Sequence, residues 1–245
     1  MPTQPTQPIQ GQPTLFKYRH YQAEIILLCL RWYLRYSLSY RDLEEMMTER
    51  GLCVDHTTIY RWVQRYAPIL EKRCLAKLKM TNSSWRVDET YIKVKGTWMY
   101  LYRAVDSGGA TVEFMLSPTR NAQAAKRFFR KALRARHTTS PRVINVDRNP
   151  AYPKAVGKLK RKGTLPPGCE LRPIKYLNNL IEQDHRFIKR RVNAGLGFGS
   201  FDTAWRTLQG YEVMHQLRKG QVRGTTRGDV RSQVRFVSSA FGLAA

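Results

Sequence analysis

The sequence predicts an α/β domain with a mixed sheet, preceded by a small all-α domain. Apolar residues recur with helical spacing up to about residue 80 and alternate with a period of two from about residue 83. After this change, the predicted elements follow the order βββαβαβα. Lys and Arg total 43 against 18 Asp and Glu, which gives a net charge of +25. Such an excess of positive charge favours a polyanion, and nucleic acid first, as the partner.

The first part of the chain divides into a polar tail and a helical region. Residues 1–14 are rich in Pro, Gln and Thr, and we expect a disordered tail there because so few apolar side chains cannot bury enough surface to order it. Residues 15–80 are predicted to form the all-α domain. Its first helix has an apolar face from Ile25 to Tyr36. A second helix follows Ser39, with Asp42 at the capping-box position and Gly51 at its end.

A third helix is predicted after the turn at residues 51–54, over residues 56–68, with Asp55 as its cap. Two short helices joined by a glycine turn are typical of a helix-turn-helix, whose second helix enters the major groove. A plain three-helix bundle with a solvated polar face is the alternative. The predicted DNA-binding face of the third helix consists of Thr58, Tyr60, Arg61, Gln64 and Arg65.

The α/β domain is predicted to span residues 81–220, followed by a basic and apolar tail at 221–245. Three successive β-type segments with a DSGGA turn predict an antiparallel meander. Helices and strands then alternate, and the order βββαβαβα is that of a ribonuclease-H-like sheet. The predicted strands are 85–94, 98–105, 111–116, 142–146 and 170–176, and the predicted helices are 121–136, 150–162 and 177–192.

Three acidic residues of this domain are candidates for catalysis. Asp88 lies within the first strand, Asp147 follows the short buried strand, and Glu182 lies on the last helix. Hard carboxylate oxygens suit Mg²⁺ or Mn²⁺. Two such ions can activate a water or a 3′-hydroxyl and neutralise the charge on the leaving oxygen. We therefore predict that these three residues hold metal for phosphoryl transfer on DNA.

The helix that carries Glu182 has further polar residues on the same face. His185, Arg186 and Lys189 follow Glu182 at helical spacing, and Asn178 precedes it. We predict that the three basic residues bind DNA beside the scissile phosphate. An exposed basic face that only solvates the helix is the alternative.

The sequence argues against several other classes of protein. The longest aliphatic run, residues 25–30, is too short to span a bilayer, and the N-terminus lacks the features of a secretory signal. We therefore expect a cytoplasmic protein with no membrane partner and no small-molecule substrate. The four cysteines lie far apart without a C-x-x-C pair, which argues against a disulfide framework and a thiolate zinc site.

Six motifs carry a resemblance to a known family: WRVDETYIKVKG, YLYRAVD, VDRNPAY, YLNNLIEQDHRFIKRR, GFGSF and YEVMHQLRKGQ. They resemble the transposases of bacterial insertion sequences of family six, which have a D-D-E triad on a ribonuclease-H-like fold related to retroviral integrase. Between Asp147 and Glu182 lie 34 residues, as the family pattern requires, and Lys189 fills its basic position. Val146 and Arg148 depart from the residues that many relatives carry beside the second aspartate.

The resemblance implies a function for each part of the chain. The helix-turn-helix would bind the terminal inverted repeats of an insertion sequence. The catalytic domain, with Mg²⁺ or Mn²⁺ and two ions in its site, would cut to free 3′-hydroxyl ends and join them to target DNA, which forms cointegrates. Because two ends must be paired, a homodimer or larger assembly is implied, with residues 201–219 and the tail as candidate interfaces. The location would be bacterial, cytoplasmic and associated with the nucleoid.

Two other classes remain open on the sequence. A DNA-binding regulator would use the same charge and helix-turn-helix but has no need for the three acidic residues. A structure-specific nuclease of the same fold would cut DNA without joining it and without regard to inverted repeats. A triad also occurs in inactivated copies of such elements.

Overall fold

The computed structural model describes residues 14–16, 20–174 and 178–243. The chain forms two units, one of described residues up to Lys77 and from Arg206 onward, and the other of Leu78–Trp205. The structure thus divides the chain differently from the prediction, because residues 206–220 and the tail from 221 belong with the N-terminal helices. The predicted disordered tail, apart from Thr14, lies outside the described residues. Within the described ranges, no helix is long and apolar enough to cross a membrane.

The first helix forms where the sequence predicts it, but it packs through a different face: Ile26, Leu30 and Tyr33 are buried, whereas Ile25 of the predicted apolar face is half-buried and Tyr36 is exposed. The start of the second helix is as predicted. Ser39 caps the second helix in a full capping box: its Oγ accepts from the Asp42 amide at 3.1 Å, and Asp42 Oδ2 accepts from the Ser39 amide at 2.7 Å. Gly51 ends the turn of this helix with a φ of +71°, which a residue with a Cβ adopts only under strain. The helices of this unit are α1 (Ala23–Arg35), α2 (Tyr40–Thr48), α3 (His56–Leu75), α7 (Phe201–Arg218) from Arg206 onward, and α8 (Val230–Ala240).

Helix α3 differs from the prediction in length. We expect it to end at Pro68 because proline lacks a backbone donor, but it continues to Leu75. The extra turns bury Leu70 and Cys74 completely. Their burial offsets the cost of an internal proline.

The C-terminal residues are integral to the helical unit. Helix α7 (Phe201–Arg218) contains Gly210, where an added Cβ would lie 2.6 Å from a Leu34 methyl, so α1 approaches the α7 backbone closely. The rings of Phe16, Tyr66 and Phe241 lie within 5.8 Å of one another. Phe241 is buried, so this part of the tail packs within the helical unit.

The second unit is built on a five-stranded sheet with the order β3-β2-β1-β4-β5. The first three strands form the predicted antiparallel meander, and β4 and β5 lie parallel to β1. This is the ribonuclease-H-like arrangement. The elements are β1 (Ser84–Val94), β2 (Thr97–Asp106), β3 (Thr111–Ser117), α4 (Ala122–Arg134), β4 (Val143–Asn145), α5 (Ala151–Arg161), β5 (Glu170–Arg172) and α6 (Asn179–Ala194).

The core of this unit lies between the sheet and helices α4 and α5. Trp85 and Val87 of β1 pack there with Phe128 and Phe129 of α4 and Tyr152 of α5. Strand β5 is shorter than the predicted 170–176. The end of that predicted strand and the start of the predicted helix at 177 fall on residues 175–177, outside the described residues.

Candidate active site

One pocket of about 510 Å³ is lined by all three predicted catalytic carboxylates. Asp88 contributes a side chain that is 17% exposed, Asp147 one that is 30% exposed, and Glu182 is exposed. The structure therefore brings together residues that lie 94 positions apart at the extremes. The other lining residues are Arg120, Arg148, Asn149, Pro150 and Asn178.

The register of the parallel strands explains why the two aspartates meet. Arg86 of β1 pairs with Asn145 of β4, and this is the last paired position of β4. Asp88 and Asp147 each follow two residues later, so they occupy corresponding positions at one edge of the sheet. Parallel strands direct their carboxyl ends to a common edge, which is where ligands bind in open α/β sheets.

Helix α6 is attached to the sheet at both sides of Glu182. Asn178 Nδ2 donates to the Val87 carbonyl at 3.3 Å, and Arg103 Nη2 lies 2.6 Å from Asp184 Oδ2. Arg103 is fully buried in β2. Glu182 lies in the first turn of the helix, where the positive end of the helix dipole favours a carboxylate.

Glu89 is the centre of a buried network that the sequence does not predict. Its side chain is only 1% exposed and accepts hydrogen bonds from Arg120 Nε, from the Tyr152 hydroxyl and, at 3.1 Å, from Asn149 Nδ2. Burial, followed by the charge of Glu89, raises the pKa of Tyr152 well above its usual value. Burial opposes the charge on Arg120, but the hydrogen bond to Glu89 and its charge outweigh this and raise the pKa of Arg120.

Arg120 connects this network to the candidate site. Its Nη2 lies 3.1 Å from Asp147 Oδ2, and the Asn149 amide donates to Asp147 Oδ1 at 3.0 Å. The second aspartate is thus held by a cation and a backbone donor, both of which are themselves tied to Glu89. One signal in the sequence points to Glu89: period-two alternation in β1 directs its side chain to the core face, where a carboxylate requires a buried partner.

His185 differs from its predicted role on the DNA-binding face. It is only 4% exposed, and its Nε2 lies 3.3 Å from Asp88 Oδ2. Three positions along a helix from Glu182, its side chain turns towards β1 rather than towards solvent. Arg186 and Lys189, the two other basic residues predicted to bind DNA, are exposed.

The predicted recognition face of α3 is only partly exposed. Tyr60, Arg61 and Arg65 are exposed, and Thr58 is half-buried. Gln64 is also half-buried, and its Nε2 donates to Thr207 Oγ1 of the same unit at 2.9 Å. The amide of Gln64, which is predicted to lie on the DNA-binding face, is thus held within the helical unit.

The residues of the pocket fit a divalent metal by their chemistry. Three carboxylates supply hard oxygen ligands, and the buried Asn178 Oδ1 finds no hydrogen-bond partner among the described residues. Within those residues, the one group of three potential ligand side chains with all its ligand atoms within 4.8 Å is Glu44, Asp55 and His56 of the helical unit. The three pocket carboxylates, which all belong to the described residues, lie farther apart than the members of this group.

The Glu44, Asp55 and His56 group has a structural explanation. His56 Nδ1 lies 2.9 Å from Glu44 Oε2, which links α3 to α2. Asp55 caps α3 by accepting from the Thr57 amide at 2.7 Å. These contacts fix the start of α3.

The sequence matches known transposases over most of its length. The family model DDE_Tnp_IS240, described as a DDE domain, matches residues 82–221. The transposase for insertion sequence-like element IS431mec of Staphylococcus aureus (strain N315) is 42% identical over 204 residues, which cover 83% of this chain and 88% of the relative. The transposase for insertion sequence element IS257 in transposon Tn4003 of S. aureus has the same identity and coverage.

Integrase catalytic cores are similar to this chain at lower identity. The HTLV-2 integrase catalytic core domain in complex with magnesium (trimeric form) is 16% identical, with a TM-score of 0.41, and the match covers 57% of this chain and 86% of that chain. The ribonuclease-H-like fold is established here by strand order and pairing. Because the family model and the two transposases match this chain, it belongs to the DDE transposases of bacterial insertion sequences of family six, which are polynucleotidyl transferases.

Proposed function

We propose that this transposase binds the terminal inverted repeats of its insertion sequence, cuts to free 3′-hydroxyl ends and joins these ends to target DNA, with cointegrates as the product. The observation that carries this proposal is the pocket at the sheet edge. Asp88 and Asp147 occupy corresponding positions on two parallel strands, and Glu182 lines the same pocket. A DNA-binding regulator has no use for this arrangement.

Asp88, Asp147 and Glu182 would hold Mg²⁺ or Mn²⁺, and two ions fit the reaction best. One related integrase core is described as a complex with magnesium. Such ions activate the attacking oxygen and neutralise charge on the leaving oxygen. The protein's own task is to fix the three carboxylates. Arg120 and the Asn149 amide orient Asp147, and His185 orients Asp88.

Exposed cations on α6 would bind the phosphates that flank the reacting one. Lys189 lies two helical turns from Glu182, which is about 10 Å along the axis. Arg186 lies one turn from Glu182 and is exposed. Cationic side chains bind phosphate through charge and hydrogen bonds but carry no sequence information.

The helical unit is proposed to recognise the inverted repeats through a helix-turn-helix formed by α2 and α3. Tyr60, Arg61 and Arg65 lie on the exposed side of α3 and would contact bases and phosphates in the major groove. Thr58 has a smaller exposed surface there. Pairing of two DNA ends requires two such units, so we propose a dimer or larger assembly on DNA, associated with the bacterial nucleoid.

A basic face on the catalytic unit supports DNA as the partner. Residues 121–169, which include α4 and α5, contain no acidic residue except Asp147. The pKa of Lys126 is lowered chiefly by the charge of Lys162 and further by Arg130 and Lys158. Like charges that are held close together without acids between them favour binding of a polyanion, and we propose that this face contacts target DNA.

The proposed function is tested with Glu182→Gln and a matched control, Gln183→Ala, which changes the next, exposed residue of the same helix. The reaction contains Mg²⁺, DNA from the flanks of the gene and a supercoiled plasmid. Glu182→Gln should abolish cleavage and joining but keep DNA binding, and Gln183→Ala should retain all three. Binding without cleavage by the wild-type protein and by both variants would favour a regulator or an inactive copy.

A further inference from the structure

A second pocket lies along α6 and the far end of β1, beyond the candidate active site. It has a volume of about 270 Å³, and we call it the aromatic groove. This is slightly smaller than the about 300–1,000 Å³ typical of pockets for drug-sized ligands. Its principal lining residues are Tyr91, Lys93, Trp98, Ile188, Lys189 and Leu196.

The groove exposes aromatic surface to an unusual degree. Trp98 is 59% exposed and Tyr91 is 49% exposed, and their rings meet edge to face with centroids 6.3 Å apart. Leu196, at 95% exposure, forms the rim in a left-handed conformation with a φ of +56°. Large exposed apolar groups that cluster in one pocket indicate a binding site more often than isolated ones do.

The rim of the groove is held against β1 by backbone contacts. The Lys95 amide donates to the Phe198 carbonyl at 2.7 Å, and Val94 forms an isolated bridge with Phe198. An added Cβ at Gly197 would lie 3.3 Å from the Lys93 carbonyl, so only glycine allows this close approach without displacement. The groove is therefore shaped by the fold rather than by chance side-chain positions.

The charge of the groove complements a nucleic acid strand. Lys93 Nζ lies 5.8 Å from the centre of the Trp98 ring, and Lys189 lines the same pocket. None of its lining residues in the described part of the chain is acidic. Two exposed aromatic rings and two lysines in one pocket match the pattern by which proteins bind single strands, with bases on the rings and phosphates on the cations.

The groove and the candidate active site share two elements. On β1, Tyr91 follows Asp88 by three residues, so its side chain leaves the opposite face of the strand. On α6, Glu182 and Lys189 lie seven residues apart on one helix face. Seven helical residues span about 10 Å, which is about three nucleotide steps along a strand. A DNA strand that reaches the carboxylates can therefore place a nearby base in the groove.

We propose that the aromatic groove binds an unpaired nucleobase of the DNA strand beside the reacting phosphate, by stacking on Trp98 and Tyr91. This inference rests on the proposed function in its choice of DNA as the ligand. A second copy of the chain is a poorer occupant, because a two-fold contact through the groove would bring Lys93 and Lys189 of both copies together. An unpaired base is required because only an unpaired or terminal base exposes its ring face.

The first test measures stacking without any reaction. The probe is a single-stranded oligothymidylate with one 2-aminopurine, whose fluorescence is quenched when it stacks. The full-length protein should quench the probe, Trp98→Phe should retain most of the quenching, and Trp98→Ala should lose it and bind about 5- to 150-fold more weakly. The matched control is Met80→Ala, because Met80 is also 59% exposed in the same unit but lies outside the groove; it should behave like the wild type.

The outcomes separate this inference from the proposed function. Equal quenching by wild type and Trp98→Ala, with normal joining by the variant, would show that the groove does not bind the unpaired base. The proposed transposition chemistry would then stand without it. Quenching that depends on Trp98 in a protein that joins no DNA would support the groove while the proposed chemistry fails. Loss of self-association in Trp98→Ala, measured by light scattering without a change in quenching, would identify a second copy as the occupant and overturn the proposal. Thermal unfolding of each variant confirms that it is folded.

Discussion

The guanidinium of Arg120 lies 3.1 Å from the carboxylate of Asp147, and its Nε donates to the buried Glu89. A cation is thus held beside the second aspartate of the triad by a carboxylate that faces the core. This arrangement lowers the repulsion between the acidic groups of the pocket. It also couples the stability of the unit to the geometry of the site.

Glu89→Gln should destabilise the protein by about 1–3 kcal/mol, because it removes the buried negative charge that pairs with Arg120 and accepts the hydrogen bonds of Tyr152 and Asn149. It should also slow joining, since Arg120 loses the partner that aims it at Asp147. Chemical denaturation and single-turnover joining check the two effects. Glu170→Gln is the control, because the Glu170–Arg172 pair is exposed, and it should cause no measurable change. A fully stable, fully active Glu89→Gln would contradict the role of the network.

Arg103→Met should cost about 3–5 kcal/mol, because it leaves Asp184 without the cation that anchors α6 to β2. The double variant Arg103→Met/Asp184→Leu should recover most of this loss, since apolar side chains can replace a buried ion pair. Urea unfolding of the single and double variants measures the coupling. Additive losses in the double variant would show that the two residues do not interact energetically.

The double variant Lys126→Gln/Lys162→Gln should bind DNA more weakly. If both lysines contact phosphates, the slope of the logarithm of the binding constant against the logarithm of the salt concentration should become shallower by about 1.8. The thermal midpoint should not fall, because the two charges repel each other in the folded protein. The charge-retaining variant Lys126→Arg/Lys162→Arg is the control. An unchanged salt dependence in the Gln variant would remove the α4–α5 face from the DNA interface.

The protein should lose stability at alkaline pH through Tyr102. Burial, followed by the charge of Glu89, raises the pKa of Tyr102 to about 12 from its ordinary value of 10.0. The raised pKa of Tyr102 stabilises the folded protein fully below pH 10. This stabilisation is lost as the pH rises to about 12, because Tyr102 ionises at a lower pH in the unfolded chain than in the folded protein. The expected loss is up to about 3 kcal/mol. The urea midpoint of Tyr102→Phe should decrease less with pH between pH 10 and about pH 12 than that of the wild type. An equally large decrease would show that Tyr102 is not the cause of the alkaline loss of stability.

The sequence predicts those parts of the fold and site that depend on local pattern. The capping box of Ser39 and Asp42 follows from residue types three positions apart, and the meander follows from period-two alternation. The meeting of Asp88 and Asp147 in one pocket follows from strand order, because parallel strands direct their carboxyl ends to the same edge of the sheet. Each of these inferences uses only spacing along the chain.

Contacts between distant side chains are not predicted in this way. Glu89 lies on β1 and Arg120 between β3 and α4, so the 31 positions that separate them along the chain are bridged only by the tertiary fold. Gly210 joins α7 to the N-terminal helices through contact with Leu34, which no local pattern reveals. His185 shows that helical spacing identifies a shared face but not the exposure of each residue on it.

The proposed transposition requires that the three carboxylates of one pocket carry metal-dependent strand joining. The most direct measurement is joining of flank DNA with free 3′-hydroxyl ends to a supercoiled plasmid, as a function of Mg²⁺ concentration, by wild type and by Asp147→Asn. We expect joining by the wild type that requires Mg²⁺ and is removed by a chelator, and no joining by Asp147→Asn at equal DNA binding. Joining by Asp147→Asn at the wild-type rate, or joining in the presence of chelator, would show that these carboxylates do not hold the metal that joining requires.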